Sequence, residues 1–589
     1  MTAYLSQTEI SSYRGDVIPL LLCFDGDGGA DRTVFSVSDA RVVSLGRLQG
    51  VPHGVLLTLL TPGVTEVVAE HQGKRLSCRV TVKERKSVAP GEKLEYFVGD
   101  FHDHTTNVHD PVAFAAGEGC FLADYLDALK NDARLDFSVI SDHALTTNDR
   151  DFFAGFVGAA QRRAADTVVL AGAECDITVI EEDRYGISYK NAGEIVTVNT
   201  ARYIDAHSFA EYFDAMKHSP FAIGVLAHPY VCGYSTKGIW NFSLDKNDFP
   251  DLKRIVRGVE MGDGSVRSSN GIHEYMYSLA LDRGFRVSAT CASDSHGPLW
   301  GYDRMPGKTV IMAPEKSKEA FLDALLNARF YATESGNVKI FYTVNGLPAA
   351  STLPLTDTYH FRVALSYFHN DPTTVPTVCR VISDGGRTVA EFKGEELSNL
   401  DFEIRSATAR YFYLRFTDRE GRRSWSAPVW TSREIDPPAS ALTPLPKKDF
   451  TVTELESGRD ASVLVNDNPR ITWESERCEA SYVIDMKKEY RVAALGHYTP
   501  FVDRSEVADL TSTLSHFASR YEIWTSLDGV DFEKCSEGLV RCFSGEELLR
   551  FPAHKARYVM LKVLSTTGAE WRPLFKDSTL HIAELTPFA

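Results

Sequence analysis

Short apolar runs between residues 96 and 296 repeatedly end in histidine or acidic side chains. The residues that follow these runs are, in chain order, His102 and His104, Asp142 and His143, Glu174, His228, and Asp294 and His296. Residues i and i+2 of a strand point to the same face, so the first two histidines would project together. Histidines that only filled a core would not all fall where strands stop. Barrel strands place their chemistry at their carboxyl ends, so the sequence predicts one metal-binding pocket.

The segment from 92 to 340 alternates apolar strands with stretches of helical periodicity. Residues 121–129 and 317–326 both show apolar side chains at helical spacing. This alternation is typical of βα units with a mainly parallel sheet. Together with ligand-type residues at successive strand ends, it predicts a closed or nearly closed barrel.

The order of these motifs resembles the PHP (polymerase and histidinol phosphatase) superfamily. The sequence has Gly-Asp-Phe-His-Asp-His-Thr from Gly99, then Ile-Ser-Asp-His, a lone Glu, Leu-Ala-His-Pro, and Ala-Ser-Asp-Ser-His-Gly. The residues of these motifs are most similar to the carbaryl-hydrolase-like branch, as is the later sequence Arg-Phe-Tyr-Ala-Thr at 329–333. Five motifs in order are far more specific than any one of them. The resemblance implies a distorted seven-stranded (β/α) barrel over residues 92–340.

The resemblance also implies a role for each motif residue. One metal ion would be held by two histidines and an aspartate, a glutamate would bridge two ions, the next histidine would serve the second ion, and two further histidines would complete a second or third position. In that order these residues are His102, His104, Asp294, Glu174, His143, His228 and His296. Two or three divalent ions (Mn, Fe or Zn) would therefore be the cofactors.

Two ligand positions stay open. The family usually supplies one more ligand after the opening pair, and here His109 is favoured with Asp110 as the alternative. The family usually has Gly-His between the Glu and the His-Pro, whereas this chain has Gly-Glu with Glu194 at the histidine position. A carboxylate can bind the same metals, but a solvated Glu at a strand end is the competing interpretation.

Other polar residues near these motifs have supporting roles in the same interpretation. Asp142 would orient His143 from behind the metal site. Arg304 and Tyr230 would contact the substrate, although Arg304 could equally form a surface salt bridge. Cys175 is interpreted as a buried neighbour of the cluster rather than a nucleophile.

Such a cluster predicts a hydrolase that uses a metal-bound water and no protein nucleophile. Two metal ions bring the pKa of a shared water near neutrality and hold the oxygens of the substrate. Phosphorus suits this chemistry best, so we expect a phosphoesterase for a small phosphate ester, with a carbohydrate-linked ester suggested by the C-terminal segment. The alternatives are hydrolysis of a carboxyl or carbamate ester or of a glycoside, and a glycan-binding protein with a degenerate barrel.

Three further segments are predicted to be β-domains. Residues 1–88 resemble a bacterial immunoglobulin-like β-sandwich, and 341–436 is predicted to form a second small β-sandwich. A proline-rich linker follows at 436–446. Residues 450–589 resemble the discoidin (coagulation-factor C-type) jelly roll, a galactose-binding-like module, through the Ser526-Leu527-Asp528-Gly529 turn and a later Ala-Arg-Tyr strand. A glycan is the expected ligand of this module.

Composition excludes some partners. The net charge of −17 argues against binding long nucleic acid, which needs a basic face. No stretch approaches the roughly 20 apolar residues that span a bilayer, so no membrane partner is expected. The N-terminus lacks the apolar segment of a signal peptide and the ten cysteines form no Cys-Xaa-Xaa-Cys. We expect a cytoplasmic protein, or an extracellular one if a signal had been removed.

Overall fold

The computed structural model describes most of the 589 residues. The described residues are 3–15, 17–24, 33–47, 52–84, 92–104, 135–143, 166–199, 204, 206, 208–217, 222–229, 250–263, 270–295, 307–394, 396–433, 442–500, 515–540, 545–571 and 578–589. Within them the chain is mostly β-sheet, with few helices. No described helix has the length and apolar character needed to cross a membrane.

Two four-stranded sheets form the N-terminal region. Their strands are β1 (Ala3–Leu5), β2 (Glu9–Tyr13), β3 (Val17–Phe24), β4 (Val34–Val37), β5 (Val43–Arg47), β6 (Gly54–Leu59), β7 (Gly63–His71) and β8 (Lys74–Lys83). The sheet orders are β1-β3-β6-β5 and β2-β8-β7-β4. Alternate residues of β8, namely Cys78, Val80 and Val82, are buried, as expected for a strand with one face on a core. That core also takes residues of the other sheet, including Leu20 and Leu57.

The next region carries the predicted metal ligands. Its strands are β9 (Glu95–Asp103), β10 (Phe137–Ile140), β11 (Val168–Glu182), β12 (Ser188–Val198), β13 (Ile223–Ala227), β14 (Val256–Asp263), β15 (Ser288–Ala292), β16 (Lys308–Ala313) and β17 (Phe330–Thr333). Its helices are α1 (Phe209–Lys217), α2 (Pro250–Ile255), α3 (Asn270–Asp282) and α4 (Lys318–Leu326). Strands β10, β13 and β15 are buried along their whole length, as strands covered on both faces are.

Strands β9 to β15 follow one another in a single sheet. β9, β10 and β11 pair in parallel, and so do β13, β14 and β15. β12 is antiparallel to both of its neighbours because β11 and β12 are two arms of one hairpin, which departs from the expected βα alternation. An isolated parallel bridge between Asp103 and Ser295 links the end of β9 to the residues after β15. The (β/α) barrel itself stays a prediction, since several of the connecting segments lie outside the described residues.

Of the two helices indicated by periodicity, one can be compared with the structure. α4 begins after Ser317, whose side-chain oxygen accepts a hydrogen bond from the backbone N–H of Ala320 at 3.2 Å. This N-cap satisfies a donor that the helix cannot pair internally. The other predicted helix, at 121–129, lies outside the described residues.

The sheet that contains β9 to β17 continues into the third region. The strands here are β18 (Val338–Val344), β19 (Leu347–Pro348), β20 (Thr352–Leu353), β21 (Thr358–Tyr367), β22 (Pro376–Ser383), β23 (Arg387–Lys393), β24 (Asn399–Arg405), β25 (Tyr411–Asp418), β26 (Arg423–Trp425) and β27 (Val429–Thr431). Short 3-10 helices lie at Pro372–Thr374, Asp384–Gly386 and Glu396–Ser398. One sheet has the order β19-β18-β21-β24, and the other runs from β16 and β17 through β26, β25, β22 and β23. Their shared core includes Tyr331 of β17 beside Phe361 and Phe412.

The C-terminal region has its own apolar core. Its elements are β28 (Thr451–Glu454), a 3-10 helix (Ser462–Val465), β29 (Trp473–Glu474), β30 (Ala480–Thr499), β31 (Ala518–Ser526), β32 (Glu533–Leu539), β33 (Gly545–Thr566), α5 (Thr567–Trp571), β34 (His581–Ile582) and β35 (Glu584–Phe588). The main sheet has the order β28-β30-β33-β31-β32, and β35 pairs with residues 494–498 of β30 on the edge opposite β33. The four domain boundaries given above remain predictions, although separate apolar clusters occupy the N-terminal and C-terminal regions.

The tip of the β11–β12 hairpin contacts the C-terminal region. Arg184 donates from Nε and Nη2 to the two carboxylate oxygens of Glu546, each at 2.7 Å. The hydroxyl of Tyr498 donates to Asp183, and its ring meets that of Tyr185 edge-on with centroids 5.6 Å apart. The hairpin is therefore anchored in the C-terminal region at its tip.

Candidate metal centre

Seven of the predicted ligand residues and their neighbour Asp142 lie within the described chain. His102, Glu174 and Glu194 lie on strands, and His104, His143, His228 and Asp294 follow the ends of β9, β10, β13 and β15. All seven ligand candidates belong to groups whose ligand atoms lie within 4.8 Å of one another: His102, His104, Glu174 and Asp294; Glu174, Glu194 and His228; His143, Asp176 and Glu194; His102, His228 and Glu260. The structure thus brings the strand-end residues together in one place.

The carboxylate of Glu174 lies at the centre of this group and is 1% exposed. Its Oε2 is 3.4 Å from Nε2 of both His102 and His104 and 3.0 Å from Nδ1 of His143. Its Oε1 is 3.1 Å from Nε2 of His228. Because the two oxygens face different imidazoles, this carboxylate has the geometry of a bridging ligand.

Asp294 approaches the same imidazoles from the end of β15. Its Oδ1 lies 3.1 Å from His104 Nε2 and 3.4 Å from His102 Nε2, and those two nitrogens are 3.1 Å apart. The backbone fixes this approach, because Asp294 N–H donates to the carbonyl of His102 at 2.9 Å and His104 N–H donates to that of Ser295 at 3.0 Å. Asp294 has a positive φ of 48°, which is uncommon for a non-glycine residue and recurs at functional sites.

Glu260 belongs to the centre although its sequence position did not indicate this. Its Oε1 lies 3.3 Å from Nδ1 of His102, and its Oε2 accepts the backbone N–H of His228 at 2.7 Å. Glu260 lies inside β14 rather than at a strand end, so the strand-end pattern could not find it. The available signal was a charged residue between Val259 and Met261 in an apolar strand, where only a paired carboxylate is tolerated.

Glu194, which the sequence left as either a metal ligand or a solvated side chain, lies beside His228. Its Oε2 is 3.3 Å from Nε2 of His228, and its side chain is buried. The competing interpretation, a solvated glutamate, is inconsistent with this burial. Asp176 also joins the group of His143 and Glu194, and the sequence reasoning missed it.

The charges of the centre depend strongly on one another. Burial lowers the pKa of His102, but the carboxylates of Glu174 and Asp294 outweigh it and raise that pKa well above its ordinary value. Burial also lowers the pKa of His228, but the carboxylates of Glu174 and Glu194 outweigh it and raise that pKa well above its ordinary value. Burial raises the pKa of Glu174, yet the imidazoles, led by His102, hold it well below the usual range; the pKa of Asp294 is also lowered. The buried carboxylates therefore require positive charge beside them, from protons or from a cation.

A second network of buried hydrogen bonds, formed by Asp100 and Asp103, lies next to the centre. The carboxylate of Asp103 accepts hydrogen bonds from the hydroxyls of Ser138 and Ser293, both at 2.8 Å. The carboxylate of Asp100 accepts from the backbone N–H of Ser293 at 3.0 Å and from Lys308 Nζ at 3.3 Å. Burial, with the nearby charge of Asp100, raises the pKa of Asp103 to about 7. This network fixes the chain next to Asp294.

The remaining predicted site residues are accounted for as follows. Asp142 is buried, and its backbone carbonyl accepts from the N–H of Glu174 at 3.3 Å; that its carboxylate orients His143 stays a prediction. The predicted residues that lie outside the described chain are His109, Asp110, Tyr230, His296 and Arg304.

The donor set fits divalent metal ions. Imidazole nitrogens and carboxylate oxygens are the ligands that Mn, Fe and Zn take in proteins. A cation among His102, His104, Glu174 and Asp294 would take both close Nε2 atoms as ligands and neutralise the carboxylates.

Comparisons with known proteins complete the description of the site. No protein-family model matches the chain, and no curated protein is similar to it. Among solved structures, it is similar to a two-domain protein of Bacteroides vulgatus containing a predicted PHP-like metal-dependent phosphoesterase, at 13% identity and a TM-score of 0.30, over 57% of this chain and 94% of that one. The chain is also similar to two Clostridium perfringens carbohydrate-binding modules, each with a TM-score of 0.20. Each match covers 25% of this chain and 100% of the module. One, seen with GalNAc-β-1,3-galactose, is 21% identical, and the family 32 module of NanJ, seen with galactose, is 16% identical.

Proposed function

We propose that the chain is a metal-dependent hydrolase of the PHP type, of the carbaryl-hydrolase-like branch, and that its substrate is a small phosphate ester. The observation that carries this proposal is the convergence of buried imidazoles and carboxylates around Glu174. When bound, two or three divalent ions would activate a water molecule and hold the oxygens of the substrate.

The residues of the chain would position those ions. His102, His104 and Asp294 would hold one ion, and Glu174 would bridge to a second ion held by His143. His228 would complete the second or a third position. In addition, His109 or Asp110 and His296 are proposed as ligands from their motif positions.

Glu260 would set the tautomer of the His102 imidazole. A proton on Nδ1 of His102 can be donated to Oε1 of Glu260, which leaves the Nε2 lone pair facing Glu174, His104 and Asp294. A histidine that donates its far nitrogen to a carboxylate is held in the ligating tautomer and becomes a better ligand. The same carboxylate fixes His228 through its backbone N–H.

The nucleophile would be water rather than a side chain. Cys175 is the neighbour of Glu174 on β11 and so points to the other face of the strand. Its sulfur lies 3.4 Å from the carbonyl of Ile204, and the side chain is buried in the apolar core. It is therefore directed away from the imidazoles that surround Glu174.

A phosphate ester fits the centre better than other electrophiles. The imidazoles and carboxylates of this pocket would hold cations and so supply stabilisation for the charge that spreads over the oxygens of a transferring phosphoryl group. Arg304 and Tyr230 are proposed to contact the substrate, on the basis of their positions after the last ligand pair and after His228-Pro229. Hydrolysis of a carboxyl or carbamate ester by the same water is the second candidate.

The C-terminal region is proposed to be a discoidin-like module that binds a glycan, which would direct the enzyme to a carbohydrate-linked phosphate. The Ser-Xaa-Asp-Gly turn that suggested this forms a compact turn, in which Gly529 N–H donates to Ser526 Oγ at 3.0 Å and Val530 N–H to Asp528 Oδ1 at 2.8 Å. The described cysteines are thiols rather than disulfides, which favours a reducing compartment, so the cytoplasm is the proposed location.

The test combines metal analysis with a substrate panel. The full chain, before and after dialysis against a chelator, is analysed for Mn, Fe and Zn and assayed on p-nitrophenyl phosphate, bis-p-nitrophenyl phosphate, p-nitrophenyl acetate and p-nitrophenyl galactoside. We expect bound metal and chelator-sensitive hydrolysis of a phosphate ester, with both reduced in Glu174→Gln. Glu182→Gln, an exposed position on the same strand, should behave like the wild type.

The other outcomes select among the alternatives. Bound metal together with hydrolysis of p-nitrophenyl acetate alone would favour hydrolysis of a carboxyl or carbamate ester. Absence of both bound metal and hydrolysis, with retained glycan binding, would leave only a glycan-binding protein with a degenerate barrel.

A further inference from the structure

Asp176 lies on the same face of β11 as Glu174, because the two are separated by one residue. In the antiparallel pairing of β11 with β12, it stands directly opposite Glu194. Asp176 is half-buried and Glu194 is buried. Glu174, Asp176 and Glu194 therefore place three carboxylates at adjacent positions on one face of the hairpin, midway along its arms.

Such a placement is unfavourable without a counter-charge. Like charges directly opposite each other on paired strands destabilise a sheet, and burial strengthens their repulsion. A ligand atom of His143 lies within 4.8 Å of the carboxylate oxygens of both Asp176 and Glu194. Nδ1 of the same imidazole lies 3.0 Å from Oε2 of Glu174, so His143 adjoins both Asp176 and Glu194 and the central carboxylate.

We propose that Asp176, Glu194 and His143 form a second cation position, and that Asp176 is one of its ligands. This inference rests on the proposed function, because it adds a ligand to the same centre. The position has one imidazole and two carboxylates, whereas the first has two imidazoles and two carboxylates. Oxygen-rich ligand sets suit harder cations, so the second position would take Mn²⁺ or Mg²⁺ in preference to Zn²⁺.

The two positions would share the central carboxylate. Oε2 of Glu174 contacts His102 and His104 on one side and His143 on the other. The pocket would therefore hold a position with two imidazole ligands next to a position with one imidazole ligand. Two inequivalent positions predict ordered loading by different metals, which gives a readout independent of activity.

The experiment loads the full chain in two steps. Metal is removed with a chelator, one equivalent of Zn²⁺ is added, and Mn²⁺ is then titrated while free Mn²⁺ is followed by electron paramagnetic resonance. Wild type and Glu182→Gln should bind about one further equivalent of Mn²⁺. Asp176→Asn, which keeps the size but removes the charge, should retain Zn²⁺ and bind Mn²⁺ at least about tenfold more weakly.

Each outcome bears on the inference. Unchanged Mn²⁺ binding in Asp176→Asn would overturn it while bound Zn²⁺ left the proposed function standing. A wild type that bound neither metal would overturn both. If circular dichroism showed that Asp176→Asn does not fold, Glu194→Gln replaces it, and the same loss of Mn²⁺ is expected. Retention of Mn²⁺ there, or a zinc-loaded wild type that takes up no Mn²⁺, would overturn the inference.

Discussion

Replacing Glu260 by glutamine tests how the centre controls its first imidazole. The carboxylate accepts from two groups, the backbone N–H of His228 at 2.7 Å and Nδ1 of His102 at 3.3 Å. Glutamine has one carbonyl oxygen and one NH₂ group. If the oxygen keeps the shorter bond to His228, the NH₂ group faces Nδ1 of His102 and requires it to be an acceptor. The proton of the neutral imidazole then moves to Nε2, where the metal should bind.

The size of the effect follows from that tautomer change. Loss of a partner that orients a metal-binding histidine weakens metal affinity by about 10–100-fold, which corresponds to about 1.4–2.8 kcal/mol. Glu260→Ala should differ in kind, because it leaves two buried polar groups without their acceptor, at about 1–3 kcal/mol of folding stability each. The glutamine variant should thus lose metal affinity with little loss of stability, and the alanine variant should lose both.

Competition with a chromophoric chelator measures the affinity for Zn²⁺, and thermal unfolding of the metal-free chain measures stability. Glu334→Gln is the matched control, since Glu334 is also buried and accepts a backbone N–H, from Arg423, as part of a separate ion pair. A Glu260→Gln chain that folds and binds Zn²⁺ within threefold of the wild type would refute the role given to this carboxylate.

Three further changes probe the fold that holds the site. Burial lowers the pKa of His497 to about 4, so as the pH falls the unfolded chain is protonated before the folded one. The free energy of unfolding should therefore decrease between pH 6.5 and 4, by up to about 3 kcal/mol. The melting temperature should depend less on pH in His497→Leu than in the wild type, and equal dependence in the two would contradict this. In Gly99→Ala the new Cβ would lie 2.3 Å from the carbonyl oxygen of Phe137, so the melting temperature should drop sharply, whereas Gly46→Ala meets only ordinary contacts from 3.5 Å and should melt near the wild type. Arg184→Ala removes the hairpin's ion pair, so hydrogen exchange at residues 183–187 should quicken; unchanged exchange would show that the anchor is unimportant.

The sequence could predict the strand-end ligands because chain direction alone brings them together. His104, His143 and His228 each follow an apolar run, and parallel strands bring their carboxyl ends to one edge whatever the details of packing. The same reasoning found Glu174, although this residue lies within a strand that continues to Glu182. The apolar start of this strand was correctly interpreted, but the strand continues eight residues beyond Glu174, where the sequence predicted its end.

That extra length explains what the sequence could not show. Whether Asp176 faces Glu194 depends on the register of β11 and β12, which is set by the turn at 183–187. A shift of one residue in the pairing would turn one carboxylate away from the other. The tip is in turn held by Arg184 and Tyr498, which pair it with the C-terminal region more than 300 residues away. The ligand set on the hairpin is therefore a property of the assembled fold, and a variant that releases the tip should loosen Mn²⁺ at Asp176 before it affects Zn²⁺ at His102.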